Sequence, residues 1–166
     1  MSHKNYVVVG GSKGMGLGIV TALATQGGHV TVLSRSNENL ANLDNVVHLV
    51  WDATSDELSS EQLPDTIHGL VYCPGSLNLR AFKSLKPDTF REDFEVNVMG
   101  AVKSIQAALP ALAAAGNASV LLFSTVAVGQ GMHAHASIAA SKGAVEGLTR
   151  SPVSYTHLTL PTTPYV

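Results

Sequence analysis

The stretch from Tyr6 to Gly18 limits what this chain can fold into more than any other, because an apolar run passes through a glycine cluster directly into a helical pattern. Tyr6-Val7-Val8-Val9 is continuous and mostly β-branched, as expected of a strand buried on both faces of a parallel sheet. Gly10, Gly14 and Gly16 follow at once. Beyond them Ile19, Ala22, Leu23 and Ala24 recur at helical spacing up to Gly27-Gly28, a C-terminal stop. Strand, glycine turn and helix in this order bring unpaired backbone N–H groups and the positive end of a helix dipole to one point, with no Cβ in the way. Such a turn suits a phosphate. Its spacing is G-x-x-x-G-x-G instead of the G-x-G-x-x-G dinucleotide fingerprint, so taken alone it also fits a plain tight turn.

The next segments extend the pattern. His29-Val30-Thr31-Val32-Leu33 reads as a second strand, which completes a βαβ unit expected to be right-handed. In such units the end of the second strand meets the adenosine ribose, and an acid there selects NAD. Here Ser34 and Arg35 stand at that place, and Lys13 in the turn adds a second cation. A guanidinium suits a 2′-phosphate, so NADP is favoured over NAD; the alternative is that Arg35 is a solvated loop residue. Val46 to Trp51 is a third strand ending at Asp52, Gly69 to Cys73 a fourth ending at Pro74-Gly75, and Ser119 to Thr125 a fifth, buried on both faces by its pattern. Ser55 to Pro64 reads as a surface helix or loop without a motif. Between the last two strands Pro87-Asp88 starts a long helix with apolar positions Phe90, Phe94, Val98, Val102, Ile105 and Leu109, kinked or restarted at Pro110 and ended at Gly116-Asn117. Asn97 lies inside it, where its propensity is poor. A loop from Val126 to Ala134 then leads to a helix from Ser137 to Arg150.

Composition narrows the partners. Ten Lys+Arg against twelve Asp+Glu give a formal charge of -2 over 166 residues, which argues against nucleic acid or an anionic membrane surface. No apolar stretch is expected to approach the roughly 20 residues that span a bilayer, and the N-terminus does not read as a signal peptide. The lone Cys73 excludes an intramolecular disulfide framework, reads as a small buried hydrophobe, and makes a reducing cytoplasm the default.

Two segments together resemble the short-chain dehydrogenase/reductase family. Val9-Gly10-Gly11-Ser12-Lys13-Gly14-Met15-Gly16 is similar to the family's cofactor turn, with Val9 where the family has threonine, and Ala140 to Arg150 is similar to its active-site helix. The resemblance implies cofactor contacts from Gly10, Ser12, Lys13, Gly14, Met15, Gly16, Ser34, Arg35 and Lys142, with Asp52 accepting from the adenine amino group. A turn-forming aspartate would look the same at that position. Gly75 survives from the family's Asn-Asn-Ala-Gly, here Tyr72-Cys73-Pro74-Gly75. Asn97-Val98-Met99-Gly100 matches the N-x-x-G segment whose asparagine supports a water chain to the active-site lysine. In the family's Y-x-x-x-K, the ammonium lowers the pKa of a phenol one turn away, and the phenol protonates a carbonyl. Lys142 is present, but Ile138 occupies the tyrosine position. Thr125, with Ser124 adjacent, falls at the substrate-orienting hydroxyl. His133 and His135 lie in the facing loop and read as bystanders, with a surrogate proton donor near neutral pH as the alternative, and the pair makes a poor metal site.

The expectation is therefore an α/β, doubly wound parallel sheet of Rossmann type over residues 1–151, with the family's last strands missing. Residues 152–166 read as a non-native or disordered tail. Val153 to Thr162 resembles a translated transposon-type sequencing adaptor, and a natural Thr/Pro-rich tail is the alternative. The implied function is NADP(H)-dependent hydride transfer between small carbonyl and alcohol substrates, impaired or altered by Ile138. A non-catalytic NADP(H)-binding sensor is the alternative. The family's helix interface implies a homo-oligomer for the full-length protein, with Ala101, Ala107, Ala108, Ala139 and Ala144 permitting close approach.

Overall fold

The computed structural model describes residues 4–150, so the expected tail lies outside the described residues. Five strands form one parallel sheet: β1 (Asn5–Val9), β2 (His29–Ser34), β3 (Val46–Val50), β4 (Gly69–Tyr72) and β5 (Ser119–Leu122), in the order β3-β2-β1-β4-β5. Strand order reverses between β1 and β4, which makes the carboxyl ends of these two strands the switch point where ligands bind in open α/β sheets.

Alternation along the central strands explains their continuous apolar runs. Val7, Val9, Leu33, Leu70 and Tyr72 point to one face and pack with Ala101, Ala108 and Leu112, whereas Val8, Val30, Val32 and Val71 point to the other and pack with Val20. The first face is covered by α3 (Gly100–Ala114), the second by α1 (Gly14–Thr25). Both layers of side chains are removed from water, and each fully buried valine or leucine contributes about 1.5–3 kcal/mol.

The long helix departs from expectation in four ways. It consists of α2 (Pro87–Phe94), a π turn (Glu95–Met99) and α3, and nothing in the apolar spacing signals the π turn. The expected restart at Pro110 does not occur, since α3 continues to Ala114. Pro110 faces solvent, so water can satisfy the carbonyl its ring frees, while Ala107, Ala108, Ala111 and Leu112 hold the helix on the sheet. The same packing corrects the helix-interface expectation: Ala101, Ala107 and Ala108 are buried in the chain's own core, where they let α3 approach the sheet. The uninterrupted Pro87–Ala114 helix, at 28 residues, is by length and composition long and apolar enough to cross a membrane, contrary to the sequence expectation, but 56% of its most apolar window is buried within the fold.

β5 also differs from its pattern. It is a sheet edge among the described residues, ends at Leu122, and leaves Leu121 45% exposed, so it is not buried on both faces. An apolar run of this length cannot by itself report whether a strand is central or at an edge. After it, the loop expected at 126–134 contains a short helix α4 (Ala127–Gln130), and α5 runs Ala136–Arg150.

Candidate functional site

β1 is followed by Gly10, whose φ of +74° is the left-handed value that turns the chain away from the sheet, and α1 starts at Gly14 with φ +55°. Gly16 packs against the Gly10 carbonyl so closely that any Cβ there would collide with it. Lys13 at the N-cap supplies no side-chain acceptor, and the first turn of α1 has no acid. Its orphan N–H groups are thus left to an external acceptor, which is the chemistry a pyrophosphate offers. Met15 is 64% exposed at the helix start, and Ser12 is buried.

A cleft of about 560 Å³ opens beside this turn. It gathers Gly10, Ser12 and Lys13 with Ser34, Arg35, Asp52 and Gly75, so these expected cofactor contacts share one wall system although they come from four strand ends. Gly14, Met15 and Gly16 at the start of α1 do not line it, and neither do Ser124, Thr125, Ile138, Asn97 and Lys142. A dinucleotide fits this donor set: uncapped N–H groups for its phosphates and two cations at the ribose end.

Those cations have partners of their own. Lys13 pairs with Glu38 at 3.0 Å and Arg35 with Asp52 at 4.0 Å, both on exposed or partly exposed side chains where such pairs contribute little and dissociate readily. Asp52 Oδ1 accepts from the Thr54 backbone N–H at 2.9 Å and from its hydroxyl at 2.7 Å. These bonds, and behind them Arg35, lower its pKa below the ordinary carboxylate value. Asp52 therefore does form the turn that sequence reading offered as its alternative role, without losing its place in the cleft. Ser34 Oγ donates to Ser36 O at 2.8 Å and lies 3.0 Å from His48 Nε2, a neighbour that β3 supplies and sequence reading did not single out.

Cys73 also borders the cleft. Burial pushes its thiol up to about 11, so it stays protonated at neutral pH and is no ready nucleophile.

Two further expected residues, Asn97 and Lys142, meet at Gly75. A Cβ on Gly75 would lie 3.2 Å from Asn97 Oδ1 and 3.9 Å from Lys142 Nζ, so the π turn and α5 bring both side chains to the one place where β4 leaves the sheet. Burial lowers the pKa of Lys142 below the usual lysine value. Ile138 is 5% exposed. The two hydroxyls are engaged elsewhere: Ser124 Oγ donates to Glu146 at 2.6 Å, and Thr125 Oγ1 accepts from the Ala127 N–H at 3.3 Å. His135 Nδ1 lies 2.6 Å from the His133 carbonyl oxygen, which ties the two loop histidines to each other.

Sequence reading missed Asp93, Ser76, Asn78 and Ser137. The fully buried Asp93 carboxylate receives hydrogen bonds from Ser76 Oγ at 2.5 Å, Asn78 Nδ2 at 2.8 Å and Ser137 Oγ at 2.5 Å. One signal was available: Asp93 lies four residues before Asn97, hence on the same helix face as an asparagine already judged unusual.

The chain matches the family model described as short chain dehydrogenase over residues 4–154. It is 27% identical over 168 residues to a 3-dehydrosphinganine reductase of Arabidopsis thaliana, covering 91% of this chain and 50% of that protein. It is 29% identical over 158 residues to a 2,3-dihydroxy-2,3-dihydro-p-cumate dehydrogenase of Pseudomonas putida, covering 86% of this chain and 61% of the relative. The chain thus spans about half to three fifths of the length of these relatives. Among solved structures, a short-chain dehydrogenase from Streptomyces avermitilis superposes with a TM-score of 0.83 at 24% identity over 96% of this chain and 64% of that one, a likeness of fold. Because the family match runs from the first described strand past the last described helix instead of stopping at the glycine turn, the chain belongs to the short-chain dehydrogenases, oxidoreductases that use a nicotinamide dinucleotide.

Proposed function

We propose that this chain binds NADP(H) in preference to NAD(H) and belongs to a protein that transfers hydride between small carbonyl and alcohol substrates, with its proton chemistry altered at Ile138. The observation that carries the cofactor reading is Arg35, whose side chain is 82% exposed at the mouth of the cleft, directly after a strand that ends in Ser34 and not in an acid. Lys13 and Ser36 border the same mouth. A 2′-phosphate there would take over the Arg35 guanidinium from Asp52, exchanging a weak 4.0 Å pair for a charge-assisted one. Ser12, the turn glycines and the N–H groups of Gly14, Met15 and Gly16 would hold the pyrophosphate, with Lys142 and Gly75 at the far end. The bound dinucleotide supplies the hydride; the chain's residues bind it, orient it and set the charge around it.

Titration of the full-length protein with each cofactor, followed by fluorescence or calorimetry, is expected to show NADPH binding about tenfold or more tighter than NADH, a difference of about 1.4 kcal/mol. Arg35→Ala is expected to remove most of that preference while leaving NADH affinity nearly unchanged. Equal affinities in the unaltered protein would overturn the phosphate reading.

Ile138 favours a second reading, a non-catalytic NADP(H)-binding sensor, because isoleucine has no proton to give. Turnover against a panel of carbonyl substrates separates the two. A homo-oligomer of the full-length protein in a reducing cytoplasm completes the proposal; the packing of Ala101, Ala107 and Ala108 inside the fold leaves α5, with Ala139 and Ala144 partly exposed, as the helix to make that contact.

A further inference from the structure

Asn97 is 1% exposed, and among the described residues its Oδ1 is the buried side-chain nitrogen or oxygen that has no hydrogen-bond partner. Its Nδ2 has two, donating to Ser76 Oγ at 3.0 Å and to the Asp93 carbonyl oxygen at 2.8 Å. The direction of these bonds is set by the carboxylate. An ionised carboxylate only accepts, so Ser76 must spend its single proton on Asp93 Oδ1, and the lone pairs of Ser76 then accept from Asn97. With both N–H bonds of the amide committed on that side, the amide oxygen faces the opposite way, toward the space at Gly75 that Lys142 Nζ also borders.

We propose that Asp93 is a positioning residue for Asn97 and Lys142: its buried carboxylate, acting through Ser76, turns the Asn97 oxygen toward the Lys142 ammonium and so keeps that ammonium charged where no tyrosine stands beside it. The same carboxylate holds Ser137 at the start of α5 and Asn78 in the loop after β4, so it ties together the segments that carry Lys142 and Gly75. An ammonium accepts nothing and donates three protons, and an amide oxygen is the complementary partner, directly or through one water. Burial of Lys142 favours the neutral amine, and the Asn97 oxygen opposes that tendency. The inference rests on reading Asn97 and Lys142 as one site, but it requires no dinucleotide.

The other charged side chains on the helices packed against α5 have partners or face solvent, and the loop that leads into α5 carries His133 and His135, with His135 Nδ1 2.6 Å from the His133 carbonyl oxygen. On the elements packed against α5, Glu95 of the π turn lies 3.6 Å from Lys103, and on α2 Asp88 pairs with Arg91 at 2.6 Å while Glu92 is exposed. α4 carries no titratable side chain. On α5 itself Glu146 is bound by Ser124, and Arg150 is exposed at its end.

The test is the titration of Lys142 in the cofactor-free full-length protein, read by NMR of 13C-dimethylated lysines, with the Lys142 signal identified by its loss in Lys142→Arg. Asp93→Asn and Asn97→Ala are each expected to lower its midpoint by about half a pH unit or more. In the double variant the two shifts should not add, because both remove the same contact. An unchanged midpoint in folded Asp93→Asn overturns the proposal. So does an Asp93→Asn shift of full size in the Asn97→Ala background, which would mean direct attraction between carboxylate and ammonium. If Asp93→Asn fails to fold, Ser76→Ala breaks the same chain while leaving the carboxylate in place; it is expected to lower the midpoint, and no shift there overturns the relay. NADPH titration of the same samples reports separately on the cofactor reading.

Discussion

Replacing Ile138 with tyrosine is expected to raise carbonyl-reductase turnover of the full-length protein by about 10²- to 10⁴-fold, the usual contribution of a positioned general acid. Position 138 lies on α5, one helical turn before Lys142, so a phenol there would share a face with the ammonium. The ammonium would lower the pKa of the phenol, and the phenol would supply the proton that isoleucine cannot. Ile138 is 5% exposed, and fitting a larger ring could cost about 1–3 kcal/mol through overpacking. Thermal unfolding and NADPH binding should therefore be measured beside NADPH oxidation. Lys142→Ala in the tyrosine background is expected to cancel the gain. A folded, NADPH-binding Ile138→Tyr protein without turnover would favour the sensor reading.

Gly100→Ala should be among the most destabilising single changes available, at about 3–5 kcal/mol from overpacking combined with a lost buried hydrogen bond. Gly100 is the first residue of α3, directly after the π turn, and a Cβ added there would collide with the hydroxyl of Tyr72 and the Cβ of Ala53. Tyr72 cannot retreat cheaply. Its hydroxyl donates to the Val96 carbonyl at 2.5 Å, satisfying a group within the widened turn, while burial, followed by the charges of Asp52 and Glu95, pushes the phenol above its ordinary range and keeps it a donor. Urea denaturation would read the loss directly. Adding Tyr72→Phe should recover part of the stability, because it removes the nearest obstructing atom; no recovery would place the strain at Ala53 instead.

The Tyr72 contact shows where reading by pattern stops. Glycine at position 100 looked like part of a family segment, and tyrosine at 72 looked like the end of a strand. That one exists to make room for the other follows only when β4 and the helix at 95–100 are packed together. Asp93 was hidden for a related reason: in a helical run it passes for a polar position on the solvent side, and only its three donors from two other segments reveal a buried carboxylate.

Periodicity and turn chemistry are local, and what depends on them was legible in advance. The β-branched runs at 6–9, 29–33 and 69–73, the glycines that punctuate them and the small-residue helix between the first two imply parallel strands, α1 and the turn at Gly10 to Gly16 from neighbouring residues alone. Properties set by distant partners could not be read this way. Whether β5 is central or at an edge, whether the helix survives Pro110, and which way the Asn97 amide points depend on segments that only folding brings together, as Ser76 is brought to Asn97, or on solvent. A chain's short-range preferences name its elements, but the desolvation of one element by another decides which polar groups need partners and where they find them. In this protein the glycine turn was decided by sequence, and the orientation of the Asn97 and Lys142 pair by packing.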